Sequence, residues 1–318
     1  MSRRVGLIKP TRNSFLPAFS AFLNNSRLDH FHASIIIHSM TETDILEATT
    51  NYYNSKEATA YQQLILGAES SHIGIYEHEK QSIADACHNT TVTMIQKLPK
   101  FKKSSIVLDI GSGYGTISRY IAEEFGCKKI TCLNISTQEN KVNESKNKKA
   151  QLGDLITVTA GNFESILADS ESFDVILSQD ALMYSKDKDK VFSEVAWVLK
   201  PGGRFIFTDL LESATCPDGA LDAIYEHFPN LDFCSTKSYK RLTLRRELDS
   251  VYVKELPEHL VTHYKKLQET LKTQGSKLSK KSSAAFVKKQ EKGIQLLLDA
   301  AEKGHLSWGI LQFQKRNM

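Results

Sequence analysis

The run Val107-Leu-Asp-Ile-Gly-Ser-Gly-Tyr-Gly-Thr116 sets one carboxylate, Asp109, ahead of three glycines at alternate positions, Gly111, Gly113 and Gly115. Glycines at this spacing allow positive φ and let a ligand come close to bare main chain. Val107 to Ile110 is β-branched and apolar without a turn former, which suits a buried strand. Ile117, Tyr120, Ile121 and Phe125 follow at helical spacing. The unit is strand, glycine loop, helix, and two ligand classes use it. A dinucleotide fingerprint requires a third glycine where Thr116 stands, so the spacing fits that class poorly.

The elements that must position this loop repeat along the chain. Strands are expected at 129–135, 156–162, 173–180 and 204–210, with helices at 137–151 and 190–199 between them. A turn, Pro201-Gly202-Gly203, precedes the 204–210 strand. Strands alternating with helices predict a parallel sheet covered on both faces, a doubly wound Rossmann-like α/β fold. Downstream come helical stretches at "ALDAIYEHF" and around Tyr239 to Leu244, a strand at 251–256, and two long helices at 258–274 and 283–303. The Lys/Ser stretch "GSKLSKKSS" is read as the break between those helices. A β-rich segment, 305–313, closes the chain, and an amphipathic helix at 79–98 precedes the core.

The chain of 318 residues has length for one large domain or two small ones, with ordinary charged and apolar fractions. No apolar stretch approaches membrane-spanning length, so no membrane partner is expected. The net charge of +4 resides near the N-terminus, where Arg3, Arg4, Lys9, Arg12 and Arg27 face Asp29 alone. The remainder is balanced, which argues against a nucleic-acid surface. Residues 1–40 are rich in Arg, Ser and Phe and read as a transit peptide, a disordered extension, or a segment upstream of a start at Met40. Location is accordingly cytoplasmic, or mitochondrial or plastid if a transit peptide is present. Cys87, Cys127, Cys132, Cys216 and Cys234 show no paired spacing, so neither a disulfide framework nor a metal site is expected.

The pattern Asp109-x-Gly-x-Gly-x-Gly resembles the first motif of class I S-adenosylmethionine-dependent methyltransferases. The resemblance implies that fold, with a reversed final strand at 305–313, and S-adenosylmethionine as cofactor, leaving S-adenosylhomocysteine. By the same resemblance Asp109 and the three glycines meet the cofactor's methionine and ribose portions. Asn134, Ile135 and Gln138, in "CLNISTQ", lie where the family holds the ribose, although Asn134 replaces the usual acid. Asn162 and Phe163 are the adenine contacts, and Gln179 and Asp180 in "SQDALMYS" face the reacting methyl group. "WVLKPGG" is a turn frequent in small-molecule methyltransferases.

A narrower likeness lies outside the core. "SSHIGIYE", "CLNISTQENKVNE", "SQDALMYSKDKDKVF", "ELPEHLVTHY" and "HLSWGILQF" resemble the sarcosine/dimethylglycine N-methyltransferases, whose members make glycine betaine. The resemblance implies residues 41–104 as an N-terminal helical lid and 105–318 as the methyltransferase domain with helical insertions covering the substrate. It implies a small-molecule amine as partner and an amine lone pair displacing the sulfonium methyl. Asp180, Tyr184 and His72 are the candidates to share the amine's proton. The family often carries histidine at the position of Tyr184, in an Asp-x-x-x-His pattern. A quaternary ammonium would be held by aromatic faces, with Tyr53, Tyr76 and Trp308 as the substrate contacts. Arg119 and Arg241 are available for a substrate carboxylate, while His259 and His263 read as ordinary helix-face residues. The alternatives are another acceptor such as phosphoethanolamine, another amino acid or a thioether, a nicotinamide-dependent oxidoreductase, and a non-catalytic partner subunit. Oligomeric state is not legible.

Overall fold

The computed structural model describes residues 42–67 and 69–317, and the expectation placed on residues 1–40 lies outside them. Helices α1 (Glu42–Tyr53), α2 (Lys56–Leu64) and α3 (Ile83–Gln96) precede the sheet. The alternating part then runs β1 (Ile106–Ile110), α4 (Thr116–Glu124), β2 (Lys129–Asn134), α5 (Thr137–Lys149), β3 (Ile156–Ala160) and β4 (Phe173–Gln179). A 3-10 turn at Leu182–Tyr184 leads to α6 (Lys188–Val198) and β5 (Leu199–Glu212). The chain finishes with α7 (Asp222–His227), α8 (Thr236–Leu244), β6 (Leu248–Glu255), α9 (Pro257–Lys281), α10 (Ala284–Glu302) and β7 (Leu306–Lys315).

The strands form one sheet in the order β3-β2-β1-β4-β5-β7-β6. β1 to β5 run parallel, and β7 inserts antiparallel between β5 and β6. This is the class I methyltransferase sheet with its reversed strand. Alternation along each strand divides the apolar residues between two layers, as the pleat requires. Val107, Val175, Leu177 and Ile206 face the layer holding α3, α4, α9 and α10. Leu108, Ile110, Ile176, Phe205 and Phe207 face α6 and α8, where Phe192 and Tyr239 sit among packed aromatic rings.

Two boundaries differ from the sequence expectation. The Lys/Ser stretch does not break the long helix: α9 continues to Lys281, and only Ser282 and Ser283 interrupt it. Leu278 is fully buried and anchors that last turn, while Lys and Ser tolerate helical backbone on the exposed side. Ser283 caps α10 by accepting from the Phe286 N–H at 3.1 Å. The Pro201-Gly202-Gly203 turn is absorbed into β5 as a register shift between Phe173 and Val175 on the partner strand. No helix among the described residues is long and apolar enough to cross a membrane.

Gly115 caps α4 with a left-handed backbone, φ +72°. A Cβ there would lie 2.2 Å from the Asn143 Oδ1 on α5, so this glycine serves helix packing. Gly115→Ala is expected to destabilise the fold by about 2–4 kcal/mol, from backbone strain plus overlap. The midpoint of urea unfolding should fall with an unchanged slope.

Candidate active site

Ligands in an open α/β sheet bind beyond the carboxyl ends of the strands, and the glycine loop, Asn134, Asn162 and Gln179 all meet there. A cavity of about 70 Å³ is lined by Gly111, Gly113, Asn134, Ile135, Asn162, Phe163 and Gln179. A neighbouring one of about 40 Å³ holds Asp109, Gly111, Gly113, His72 and Gln179. The loop glycines play different parts. A Cβ on Gly113 would meet nothing within 4 Å, so its backbone opens onto the cleft, whereas one on Gly111 would lie 2.4 Å from the Ala181 Cβ. Gly115, expected beside the cofactor, lines neither cavity and packs against Asn143. Gln138 is likewise absent from the cleft: it is exposed on the first turn of α5, where its N–H donates to the Asn54 Oδ1 at 3.1 Å.

The group that sequence reading missed is Glu139, which borders both cavities. Its Oε2 accepts from the Asn134 Nδ2 at 3.0 Å. Burial pushes its carboxyl up to about 7, against the opposing pull of the Asn134 amide. The acid absent from the end of β2 is thus supplied from the first turn of α5, one element later. Asp109, 1% exposed, is also pushed up to about 7 by burial, with the Ser118 hydroxyl donating to it at 2.7 Å.

Asp180 follows β4 with φ +49°, a left-handed turn that Asp tolerates better than most residues. Its Oδ2 accepts from the Ile73 N–H at 2.6 Å and its Oδ1 from the Trp308 Nε1–H at 2.8 Å. Its own N–H donates to the Thr208 carbonyl at 3.0 Å. Burial pushes the Asp180 carboxyl up and the His72 imidazole down, while their mutual attraction and the donors on Asp180 pull the other way. Trp308, expected as a substrate contact, is fully buried on β7, borders none of the cavities and supports Asp180. Tyr76 also borders none, because its hydroxyl is bonded to the His263 Nδ1 at 2.9 Å. His263 and His259 are more than helix-face residues. His263 accepts from the Gly74 N–H at 3.2 Å and His259 from the Tyr76 N–H at 3.2 Å, which clamps residues 72–76 to α9. Burial pushes His263 down to about 3, so it stays a neutral acceptor.

Beyond Asp180 the cleft opens into a chamber of about 300 Å³ walled by Tyr52, Tyr53, Tyr61, Tyr114, Tyr184 and Tyr264. Tyr53 and Tyr184 border both this chamber and the glycine-loop cavity, as do Asp180 and Glu139. The Tyr53 hydroxyl donates to the Tyr184 hydroxyl at 2.7 Å, with the rings edge to face. Burial pushes Tyr184 up to about 12. Lys289 is the one Lys or Arg among the described residues lining the chamber. Arg119 and Arg241 border neither it nor the other two cavities, and Arg119 instead bonds Asn143 and Asn147. His72 faces the smaller cavity and not the chamber.

These groups fit an adenosylated sulfonium ligand. Gly113 gives close main-chain approach, Phe163 offers a ring face, and Glu139 with Asn134 can accept from vicinal hydroxyls. The His72 Nε2 and Ser112 Oγ are buried without partners beside Asp109, ready for an amino-acid end. Gly113→Val should abolish cofactor binding in a folded protein, read by calorimetry. Glu139 accepts two hydroxyls only when ionised, so affinity should rise from pH 6 to pH 8 with a midpoint near 7. Glu139→Gln should weaken binding about tenfold at pH 8 and reduce the rise with pH to the part that Asp109, also pushed up to about 7, contributes.

The chain resembles known proteins over most of its length. A family model described as a methyltransferase domain matches residues 108–207. The sarcosine/dimethylglycine N-methyltransferase of Halorhodospira halochloris is 33% identical over 271 residues, covering 85% of this chain and 96% of that protein. The enzyme of the same name from Aphanothece halophytica is 32% identical over 277 residues, covering 87% of this chain and all of its own. The crystal structure of a Galdieria sulphuraria protein assigned as a sarcosine dimethylglycine methyltransferase superposes with a TM-score of 0.79 at 31% identity, covering 84% of this chain and 99% of that one. The chain is a class I S-adenosylmethionine-dependent methyltransferase and belongs to the family that includes the sarcosine/dimethylglycine N-methyltransferases.

Proposed function

We propose that this enzyme methylates the nitrogen of sarcosine and dimethylglycine, towards glycine betaine. The observation that carries the reading is the chamber itself: six tyrosines and the carboxyls of Asp180 and Glu139 border it, with a single lysine. Such a lining favours a cationic nitrogen over an anionic head group, through ring faces and fixed negative charge. It also speaks against a phosphorylated acceptor, which needs several cations. The names of the relatives support the amine class. Helices α1 and α2 supply Tyr52, Tyr53 and Tyr61, consistent with residues 41–104 covering the acceptor.

S-adenosylmethionine supplies a methyl group already activated as a sulfonium. The protein's share is alignment and exclusion of water. Asp180, with both oxygens held by N–H donors, keeps a fixed negative pole where cavity and chamber join. Tyr184 has too high a pKa to serve as a base near neutral pH, so it orients the acceptor. With Tyr53 donating to it, the Tyr184 proton is free for a substrate oxygen. A substrate carboxylate can accept a hydrogen bond from that hydroxyl, and one from the Asn230 amide, which also lines the chamber and spends one N–H on the Thr49 hydroxyl. The ammonium is held beside Asp180, which can take its proton and pass it to water, and the nitrogen attacks as the free base.

Mass-spectrometric assay of methyl transfer to glycine, sarcosine, dimethylglycine, phosphoethanolamine and thioethers tests the proposal. Betaine from dimethylglycine is expected, and cofactor binding with no amine methylated would overturn it. Asp180→Asn should lower kcat/KM about 10²- to 10³-fold, and Tyr184→Phe about tenfold or more with cofactor affinity kept.

A further inference from the structure

The acceptor chamber is larger than the glycine series requires. At about 300 Å³ it reaches the size, roughly 300–1,000 Å³, at which protein pockets enclose drug-sized ligands. It equals the liquid volume of about ten waters at about 30 Å³ each. Dimethylglycine held at Asp180 and Tyr184 would leave part of that volume unfilled. Apolar and aromatic parts of the lining come from separate elements: Tyr61 on α2, Phe228 after α7, Tyr264 and Leu267 on α9, and Leu297 on α10. Tyr61, Tyr264, Leu267 and Leu297 are buried members of the main core cluster, so packing holds this wall in place. Small side chains, Ala48 and Ala58, face the same space and leave it open.

Resting on the N-methylation reading, we infer that the enzyme also methylates α-amino acids bearing an aromatic or branched apolar side chain. Their amine and carboxylate are held by Asp180, Tyr184 and Asn230, and the side chain takes the remaining volume. Each added methylene buried there gains about fourfold in binding. In the step, the nitrogen lone pair forms the N–C bond as the methyl C–S bond breaks. The C–S electron pair stays on sulfur as the thioether product, and any proton left on nitrogen passes to water.

The test compares kcat/KM for sarcosine, dimethylglycine, N-methylleucine and N-methylphenylalanine, with the full chain and S-adenosylmethionine. The expected result is turnover of N-methylphenylalanine at a kcat/KM equal to or above that of dimethylglycine. Leu297→Phe and Ala48→Phe, introduced separately, should each lower the ratio of kcat/KM for N-methylphenylalanine over dimethylglycine at least tenfold. Turnover of dimethylglycine with none of the larger acceptors would overturn this inference and leave the proposed function standing. Turnover of no amine, with cofactor still bound, would overturn both. A ratio unmoved in both folded variants would overturn the inference that the side chain lies in this chamber.

Discussion

The geometry of the cleft depends on one buried carboxylate that is never left alone. Asp180 accepts an N–H on each oxygen, from the backbone of Ile73 and the indole of Trp308, and its own N–H reaches β5. Removing one partner of such a buried charge typically costs about 3–5 kcal/mol, because the other is left uncompensated. The constraint extends outward. Holding Ile73 fixes the loop carrying His72 and Gly74, and α9 grips the same loop through His259 and His263. Only glycine fits at position 74, since a Cβ would lie 2.5 Å from that of Ala86 on α3. One interaction thereby sets β4, β7, α3 and α9 against a single point.

Around that point the lining is acidic and phenolic, a combination with a clear electrostatic sense. Buried tyrosines stay neutral near physiological pH because burial raises their pKa, so they add ring faces and dipoles without charge. The carboxyls supply the negative pole. A low-dielectric, water-poor site of this kind strengthens each attraction felt by a cation. A sulfonium and the amine proposed above would share that preference, so one wall could serve both cavities.

The glycine loop and the strands that flank it were legible because they are local: pattern, spacing and turn chemistry all lie within a few residues. What escaped reading has physical causes. Glu139 stands three residues after Ser136, an arrangement that reads as a capping box, and the Ser136 hydroxyl does accept from the Glu139 N–H at 3.1 Å. The carboxylate nonetheless turns to Asn134, a choice made by the cleft and not by the helix. Trp308 reads as a cage or core aromatic because its partner is distant in sequence, and Tyr76 was claimed by a histidine on α9 for the same reason. The long run of α9 was hidden by polar residues that a helix accepts once Leu278 is anchored.

The distances along the chain carry a consequence for the order of assembly. Ile73 and Trp308 lie 107 and 128 residues from the carboxylate they share. Contacts closing loops of that length bear their entropy cost before they return any stabilisation. The nucleotide-facing loop, by contrast, is one short strand and one turn of helix. Folding should therefore shape the glycine loop early and complete the chemical centre last, when the final strand slides between β5 and β6. A nascent chain lacking β7 would carry a recognisable cofactor cradle and a carboxylate with one of its two donors missing, which makes the last strand the step that confers competence.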